Sequence, residues 1–428
     1  MLKSILNIQE KPTTDDSIQN YQYVEYQPIV GTQLNTAGQI TITIENTDDF
    51  YHPHLSYLEI EGRLVKDDGT VYADADMISL TNNALMYLFS NVKYSLNGTE
   101  IESMNHPGYA STMLGSVKYT PDFKDGPGLM QCWYPDTAKD AAQENTGFMI
   151  RQGYIIKKSN PKGTFNMIIP LEHIFGCCED DDKIKYGFTH QLILTRSTDS
   201  NDAIFRADAA ANGKVDLSKI SWMMPKVQLN DAAKFDLYKI IESKAVLEIG
   251  YRMRQCSTIS IPQSTTMTWR VGVRSLPEVP RWIIVGLQTD KKNNQTKNAS
   301  LFDHCNLSNM YVTLNGTKYP HLDANADFSK MKFTQFYKNM MDFTRDYYGM
   351  DPLIGNASMR PSAYAELTPL YIFNVTKQNE RLERGIVDIT IEMQFKENVP
   401  ANTHAYALIL SDRDIKFKSD GKKMNIVH

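Results

Sequence analysis

One ten-residue string occurs twice, half a chain apart. Residues 90–99 read Ser-Asn-Val-Lys-Tyr-Ser-Leu-Asn-Gly-Thr, and residues 308–317 read Ser-Asn-Met-Tyr-Val-Thr-Leu-Asn-Gly-Thr. Six of the ten positions are identical, and the offset is 218 residues (308 − 90). Each copy is an alternating strand running into Asn-Gly, the dipeptide best suited to a tight hairpin because both residues tolerate positive φ. In each copy a helix is expected about ten residues further on. Weaker echoes, Ile169-Pro170-Leu171 and Thr368-Pro369-Leu370, sit at similar places in their halves. The chain therefore reads as two copies of one fold.

Period-two alternation extends that reading to most of the sequence. Ile40, Ile42 and Ile44 alternate with Thr41, Thr43 and Glu45; Leu58, Ile60 and Leu64 with Glu59, Glu61 and Arg63. The same rhythm runs from Leu247 to Arg254, from Met267 to Arg274 and from Val387 to Phe395. Each run presents one apolar and one polar face, as antiparallel sheets permit. Three runs, Gln191–Leu194, Trp282–Leu287 and Ala405–Leu410, are apolar enough to predict strands buried on both faces. Helices are few: about Ser329 to Tyr348, with Asp327 or Ser329 as cap and Gly349 with Pro352 as stop; one from Pro107 to about Val117; and a connector at about Asp231 to Ser243. This is an all-β signature of two tandem sandwiches.

The boundaries follow. Residues 1–19 form an N-terminal arm, 20–228 the first sandwich, 229–244 a helical linker, 245–415 the second sandwich and 416–428 a C-terminal tail. Long segments near 120–150, 197–218 and 286–306 are expected to face solvent or a partner. The mildly basic stretch Lys416 to Lys423 reads as a solvated tail.

Composition narrows the function. With 42% hydrophobic and 22% charged residues the bulk of the chain can fold. No run approaches the ~20 apolar residues of a membrane span, and the start lacks the apolar core of a secretion signal. The net charge of −5, with only Lys3 and Lys11 as basic residues in the first twenty, argues against a dedicated nucleic-acid binder. The five cysteines, Cys132, Cys177, Cys178, Cys256 and Cys305, match no disulfide framework and include no CxxC pair. They read as free thiols of a reducing compartment. Seven N-x-S/T sequons, from Asn97 to Asn374, reflect an Asn- and Thr-rich chain rather than glycosylation.

No catalytic constellation stands out: no G-x-S-x-G, P-loop, G-x-G-x-x-G or H-E-x-x-H occurs. His52-Pro53-His54 has metal-like spacing but reads as a turn. Glu179-Asp180-Asp181-Asp182 offers oxygen ligands for calcium without the alternate spacing of a calcium loop, and reads as a solvated turn. His173 and His190 can face one another or serve as hydrogen-bonded core residues. Glu59 with Glu61, or Glu179 with Asp182, serve glycoside hydrolysis only if a cleft sets two carboxyls ~5–10 Å apart. The 23 Tyr, 17 Phe and 4 Trp fall mostly at packing positions. No catalytic, cofactor-binding or metal-ligating residue is assigned.

Several strings together carry a family resemblance: IIPLEHIFGCCEDDDKIKYGFTHQLILTR (168–196), NDAIFR (201–206), KISWMMPKV (219–227), YRMRQCSTISIP (251–262), SLFDHCNLSNMYVTLNGTKYP (300–320), YYGMDPLI (347–354) and VPANTHAYALILSD (399–412). The chain resembles the double jelly-roll major capsid proteins of small eukaryotic double-stranded DNA viruses and virus-like elements: Polinton/Maverick elements, adintovirus-like sequences and their virophage relatives. The resemblance spans about residues 20–415. It implies two tandem eight-stranded jelly rolls with a few inserted helices. It implies a homotrimer of pseudo-hexagonal outline that tiles an icosahedral shell. The implied partners are further copies of the chain, a penton or vertex protein and minor capsid proteins, with no sequence-specific nucleic-acid contact and no cofactor. The implied location is the virion capsid, assembled inside the host cell. A tandem jelly-roll glycan-processing or carbohydrate-binding protein, and a host-encoded scaffold derived from an integrated element, are the alternatives.

Overall fold

The computed structural model describes residues 16–244, 246–271, 278–350, 359–377, 387–419 and 424–427. Residues 1–15 of the arm, Val273, Arg274, Pro352 and the sequon at Asn356 lie outside these.

The first half holds β1 (Ile18–Tyr26), β2 (Gly38–Ile44), β3 (Phe50–Tyr51), β4 (Tyr57–Lys66), β5 (Ile78–Leu80), β6 (Phe89–Leu96), β7 (Thr99–Asn105), β8 (Thr164–Pro170), β9 (His190–Arg196), β10 (Ile204–Arg206) and β11 (Gly213–Leu229). The second holds β12 (Val246–Ile261), β13 (Thr266–Val271), β14 (Val279–Thr289), β15 (Leu307–Leu314), β16 (Thr317–Tyr319), β17 (Tyr371–Asn374), β18 (Ile389–Phe395), β19 (Thr403–Ser419) and β20 (Met424–Val427). Three helices matter below: α1 (Pro107–Lys118), α2 (Asp231–Glu242) and α3 (Thr334–Tyr348).

Strand order identifies the architecture. The first half pairs β1-β11-β4-β8 in one sheet and β2-β9-β6-β7 in the other; the second pairs β12-β19-β14-β17 and β13-β18-β15-β16. When the eight main strands of each half are counted in order, both halves read 1-8-3-6 and 2-7-4-5. Each half is thus an eight-stranded jelly roll, and the two have one topology. β3, β20 and the β5–β10 pair are additions to that plan.

The repeated decapeptide is the hairpin of strands four and five in both rolls. Asn97 (φ 49) and Gly98 (φ 78) turn β6 into β7; Asn315 (φ 46) and Gly316 (φ 85) turn β15 into β16. Both residues of each turn need the left-handed region, which accounts for the Asn-Gly in both copies. Pro107 opens α1, as the sequence predicts, nine residues after Gly98, whereas α3 begins eighteen after Gly316. Both follow strand five. The tripeptide echo does not align: Ile169-Pro170-Leu171 ends strand six, while Leu370 precedes it.

Other expectations also change. α3 starts at Thr334, not Ser329, because Met331 (φ 54) interrupts the chain after a short 3-10 turn at Phe328–Lys330. Asp327 does not cap it; its carboxylate pairs with Lys396 and accepts from the Ser329 hydroxyl at 2.6 Å. Gly349 (φ 66) ends it as expected. Trp282–Leu287 and Ala405–Leu410 are buried throughout, but Gln191–Leu194 alternates, with Ile193 half-buried. Residues 416–419 continue β19 instead of forming a solvated tail, and β20 folds back onto them from Lys416↔Val427 to Ser419↔Met424. The five cysteines carry no disulfide.

Candidate functional site

Two of the polar side chains that drew attention in the sequence, Glu179 and Asp180, lie on the seam between the rolls. Among the described residues strand β12 pairs only with β19, so every second N–H along its other side needs an acceptor. The first roll supplies them as carboxylates. The backbone N–H of Arg252 donates to Asp180 Oδ2 at 2.8 Å, and that of Arg254 to Glu102 Oε1 at 2.9 Å. The side chains repeat the connection. Arg252 Nε lies 2.9 and 3.1 Å from the two Asp180 oxygens, and its guanidinium sits 4.0 Å above the Tyr347 ring. Arg254, 1% exposed, pairs with Glu179 and donates to the carbonyls of Glu172 and His173 at 3.0 Å each. Lys118, at the end of α1, reaches Glu179 Oε1 at 2.6 Å.

Glu102 and Gly176 explain how the segment 171–180 reaches this place. Glu102 is fully buried on β7. Its carboxylate accepts from the N–H groups of Gly176 (3.1 Å) and Cys177 (3.0 Å), the first residues of a short helix at Gly176–Asp180. A negative group at a helix start satisfies donors that have no partner within the helix. Gly176 itself has no room for a side chain, since a Cβ there would lie 1.8 Å from the Arg252 carbonyl oxygen. Burial raises the Glu102 carboxyl's pKa, outweighing Arg254 and the three N–H donors. Glu179 goes the other way. Burial pushes its pKa up, but Arg254 and Lys118 hold it at about 2.

A second set of contacts closes the other part of the seam. Tyr109 of α1 stacks on Tyr406 of β19 with centroids 4.0 Å apart, and its hydroxyl donates to Asp202 at 2.7 Å. The Gln295 amide accepts from Gly213 N–H at 2.9 Å and donates to Gly213 O and Asn201 Oδ1 at 2.7 Å each. Tyr87 OH donates to Ala299 O at 3.0 Å, and Thr344 Oγ1 of α3 to Val117 O at 3.1 Å. The segments 197–218 and 286–306, expected to face solvent or a partner, therefore meet each other across the seam.

The remaining candidates resolve individually. Glu179-Asp180-Asp181-Asp182 is a set of ion pairs, not a solvated turn: Glu179 and Asp180 cross the seam and Asp181 pairs with Lys185. His52 shares hydrogen bonds with Tyr21 OH (2.9 Å) and Asp182 O (3.0 Å), and His54 with Cys178 O (2.6 Å), around a 3-10 turn at Pro53–Leu55. His173 and His190 do not bond to each other. His173 lies between Tyr119 OH (2.7 Å) and Asn83 Oδ1 (3.1 Å), and His190 bonds to Tyr94 OH at 2.8 Å. Burial, reinforced at His173 by Lys118 and Arg254, lowers both imidazoles to about 3. Glu59 and Glu61 lie on the polar face of β4, bridged by Asn166 at 3.0 and 3.3 Å. Among the described residues no three His, Cys, Asp or Glu side chains gather as a metal site, and no helix is long and apolar enough to cross a membrane.

This geometry joins the two rolls across one seam. Comparison with known proteins finds the double-roll fold elsewhere. The cryo-EM structure of the Sputnik virophage superposes with a TM-score of 0.61 at 9% identity, covering 99% of this chain and 91% of that one. The quasi-atomic PBCV-1 virus capsid gives 0.59 at 11% identity, covering 98% and 99%. The mavirus major capsid protein gives 0.56 at 11% identity, covering 98% and 92%. At such identities the likeness is one of fold. No curated protein matches by sequence. A family model described as a double jelly roll-like domain matches residues 136–415. That match takes in the end of the first roll, the linker and the second roll, and the chain belongs to the double jelly roll-like family.

Proposed function

We propose that this chain is a viral major capsid protein: a structural subunit that forms homotrimers of pseudo-hexagonal outline, which tile an icosahedral shell around a double-stranded DNA genome. The observation that carries the reading is the pair of rolls with identical strand order, locked by a buried ionic seam. Two like lobes held rigidly let three chains present six similar sides. The whole-chain fold shared with Sputnik, PBCV-1 and mavirus structures supports it. The role is structural, and its sites are contact surfaces. Vertex and minor capsid proteins are the further partners, and the virion is the location.

The test is direct. Purified protein analysed by light scattering should have about three times the chain mass, and negative-stain images should show six-sided particles or hexagonal lattices. A monomer under all assembly conditions would refute the reading. The glycan-processing alternative needs paired carboxylates in a cleft, whereas Glu59 and Glu61 sit on an open sheet face.

A further inference from the structure

Between the end of α1 and the second roll lies a cleft of about 310 Å³. Its first-roll wall is made by Tyr119 and Trp133, whose rings meet edge to face with centroids 5.0 Å apart. Trp133 rests directly on α1, since a Cβ at Gly115 would stand 2.3 Å from its ring. The second-roll wall is Leu301 with Ala363 and Leu367 of the short helix Pro361–Leu367. The parts of that wall are tied together, with the Phe302 N–H donating to the Leu367 carbonyl at 2.9 Å. Trp133, Leu301 and Leu367 are all buried, so packing within the chain holds both walls in place.

One polar group of this cleft is unused. Asn82 lines it and is 4% exposed, yet among the described residues its carboxamide makes no hydrogen bond: Oδ1 is wholly buried without a partner, and Nδ2 has none either. The next residue shows the contrast. Asn83 Nδ2 donates to Ser111 (2.7 Å) and Thr112 (3.0 Å), and its Oδ1 bonds to His173 (3.1 Å). Buried amides are nearly always satisfied, because an unpaired one has given up its hydration for nothing. The charges at the cleft are already engaged, Lys124 with Asp125 (2.9 Å) and Asp136 with Arg151 through both oxygens (2.8 and 2.9 Å). The cleft therefore offers a ligand apolar and aromatic walls and one spare carboxamide.

We propose that this cleft is a binding site for a neutral aromatic ring bearing a hydroxyl: a phenol. A ring finds edge and face contacts on the Tyr119–Trp133 wall. A phenolic hydroxyl both donates and accepts, so it serves whichever end of the Asn82 carboxamide it meets. The volume lies at the small end of the range for ligand sites and suits one substituted ring rather than a longer molecule. The site lies within one chain and stands or falls independently of the capsid reading.

A free phenol and a tyrosine side chain share this chemistry, and the probes separate them. p-Cresol, toluene and N-acetyltyrosinamide are titrated into the full chain, with binding read by saturation-transfer NMR and calorimetry. p-Cresol should bind at least about 10-fold more tightly than toluene, which has the same ring without the hydroxyl. That comparison needs no variant. Asn82→Leu should bring the two ligands within about twofold of each other. Ala363→Trp, at a half-buried position, should fill the cleft and abolish p-cresol binding. An unchanged melting temperature checks the folding of each variant. N-acetyltyrosinamide binding as tightly as p-cresol assigns the site to a tyrosine of a partner, and its exclusion assigns it to a free phenol. Toluene binding the parent as tightly as p-cresol overturns the proposal. So does p-cresol binding that survives Ala363→Trp, or no binding at all, which would leave the cleft to water.

Discussion

Acidification from pH 6.5 to 5 should loosen this protein, and the cause should be two histidines. His173 and His190 are buried and held neutral, each with a pKa near 3 against 6.5 when exposed. A base whose folded pKa is depressed binds fewer protons in the fold than in the unfolded chain. Its stability contribution is complete above 6.5 and falls as pH drops below it. Between 6.5 and 5 each site loses one and a half units, or about 2 kcal/mol, and the pair about 4 kcal/mol. Glu179, at about 2, is silent in this window because its contribution is lost only between 4.5 and 2. Glu102, with a raised pKa, has the opposite sign and gains as pH approaches 4.5 from above. The assay is urea unfolding at pH 7 and pH 5 for the parent and for His190→Asn, which cannot titrate. The difference between the two proteins cancels Glu102. The variant should lose about 2 kcal/mol less on acidification than the parent. Equal losses would refute the assignment of buried neutral imidazole at position 190.

The seam and the hairpins give sharper single-site expectations. Arg254→Met leaves Glu179 and two carbonyls short of their main donor, and should cost about 3–5 kcal/mol in chemical denaturation. Gly176→Ala forces a methyl against the Arg252 carbonyl; a loss of about 1–3 kcal/mol and faster hydrogen exchange at residues 251–254 should follow. A Cβ at Gly98 or Gly316 meets nothing within 4 Å, so in Gly98→Ala and Gly316→Ala only the positive φ is penalised. Each should lower stability by about 1–2 kcal/mol, and the two losses should match, because the turns are copies of one another.

What was legible in the sequence was local. Asn97-Gly98 and Asn315-Gly316 declare their turns because φ is decided by the residues themselves. The alternation at Ile40–Ile44 or Leu58–Leu64 declares a strand because period two survives without knowledge of the partner. The seam was not legible, because its chemistry joins residues from 72 (Asp180 to Arg252) to 227 (Val117 to Thr344) positions apart and more. Glu179 and Asp180 look like a solvated acidic run until Arg252 and Arg254 are set opposite. Those arginines look like the water-facing side of an alternating strand. The available signal was their coincidence: two arginines on one strand face and a run of four acids that the two following lysines, Lys183 and Lys185, only half balance. Gln191–Leu194 fails for the converse reason. Its apolarity is that of a doubly covered strand, but Ile193 is only half-buried.

Duplication also explains why the third strands of the two rolls have diverged. A single roll must keep the outer face of β4 polar, as Glu59, Glu61 and Arg63 do. Once a second roll is permanently packed beside the first, the corresponding face of β14 is removed from water at synthesis. Trp282 and Ile284 can then be apolar on it without creating an exposed patch. The seam within the chain, with its apolar strand faces and buried Arg254, forms with the fold. The face of β1 and β4 that carries Tyr57, Glu59, Glu61 and Arg63 keeps its polar groups toward water. Replacing Glu59 and Glu61 together with leucine should therefore leave the fold stable but make the unassembled chain associate indiscriminately. Dynamic light scattering at rising concentration would show this, and a variant that stays monodisperse would contradict the argument.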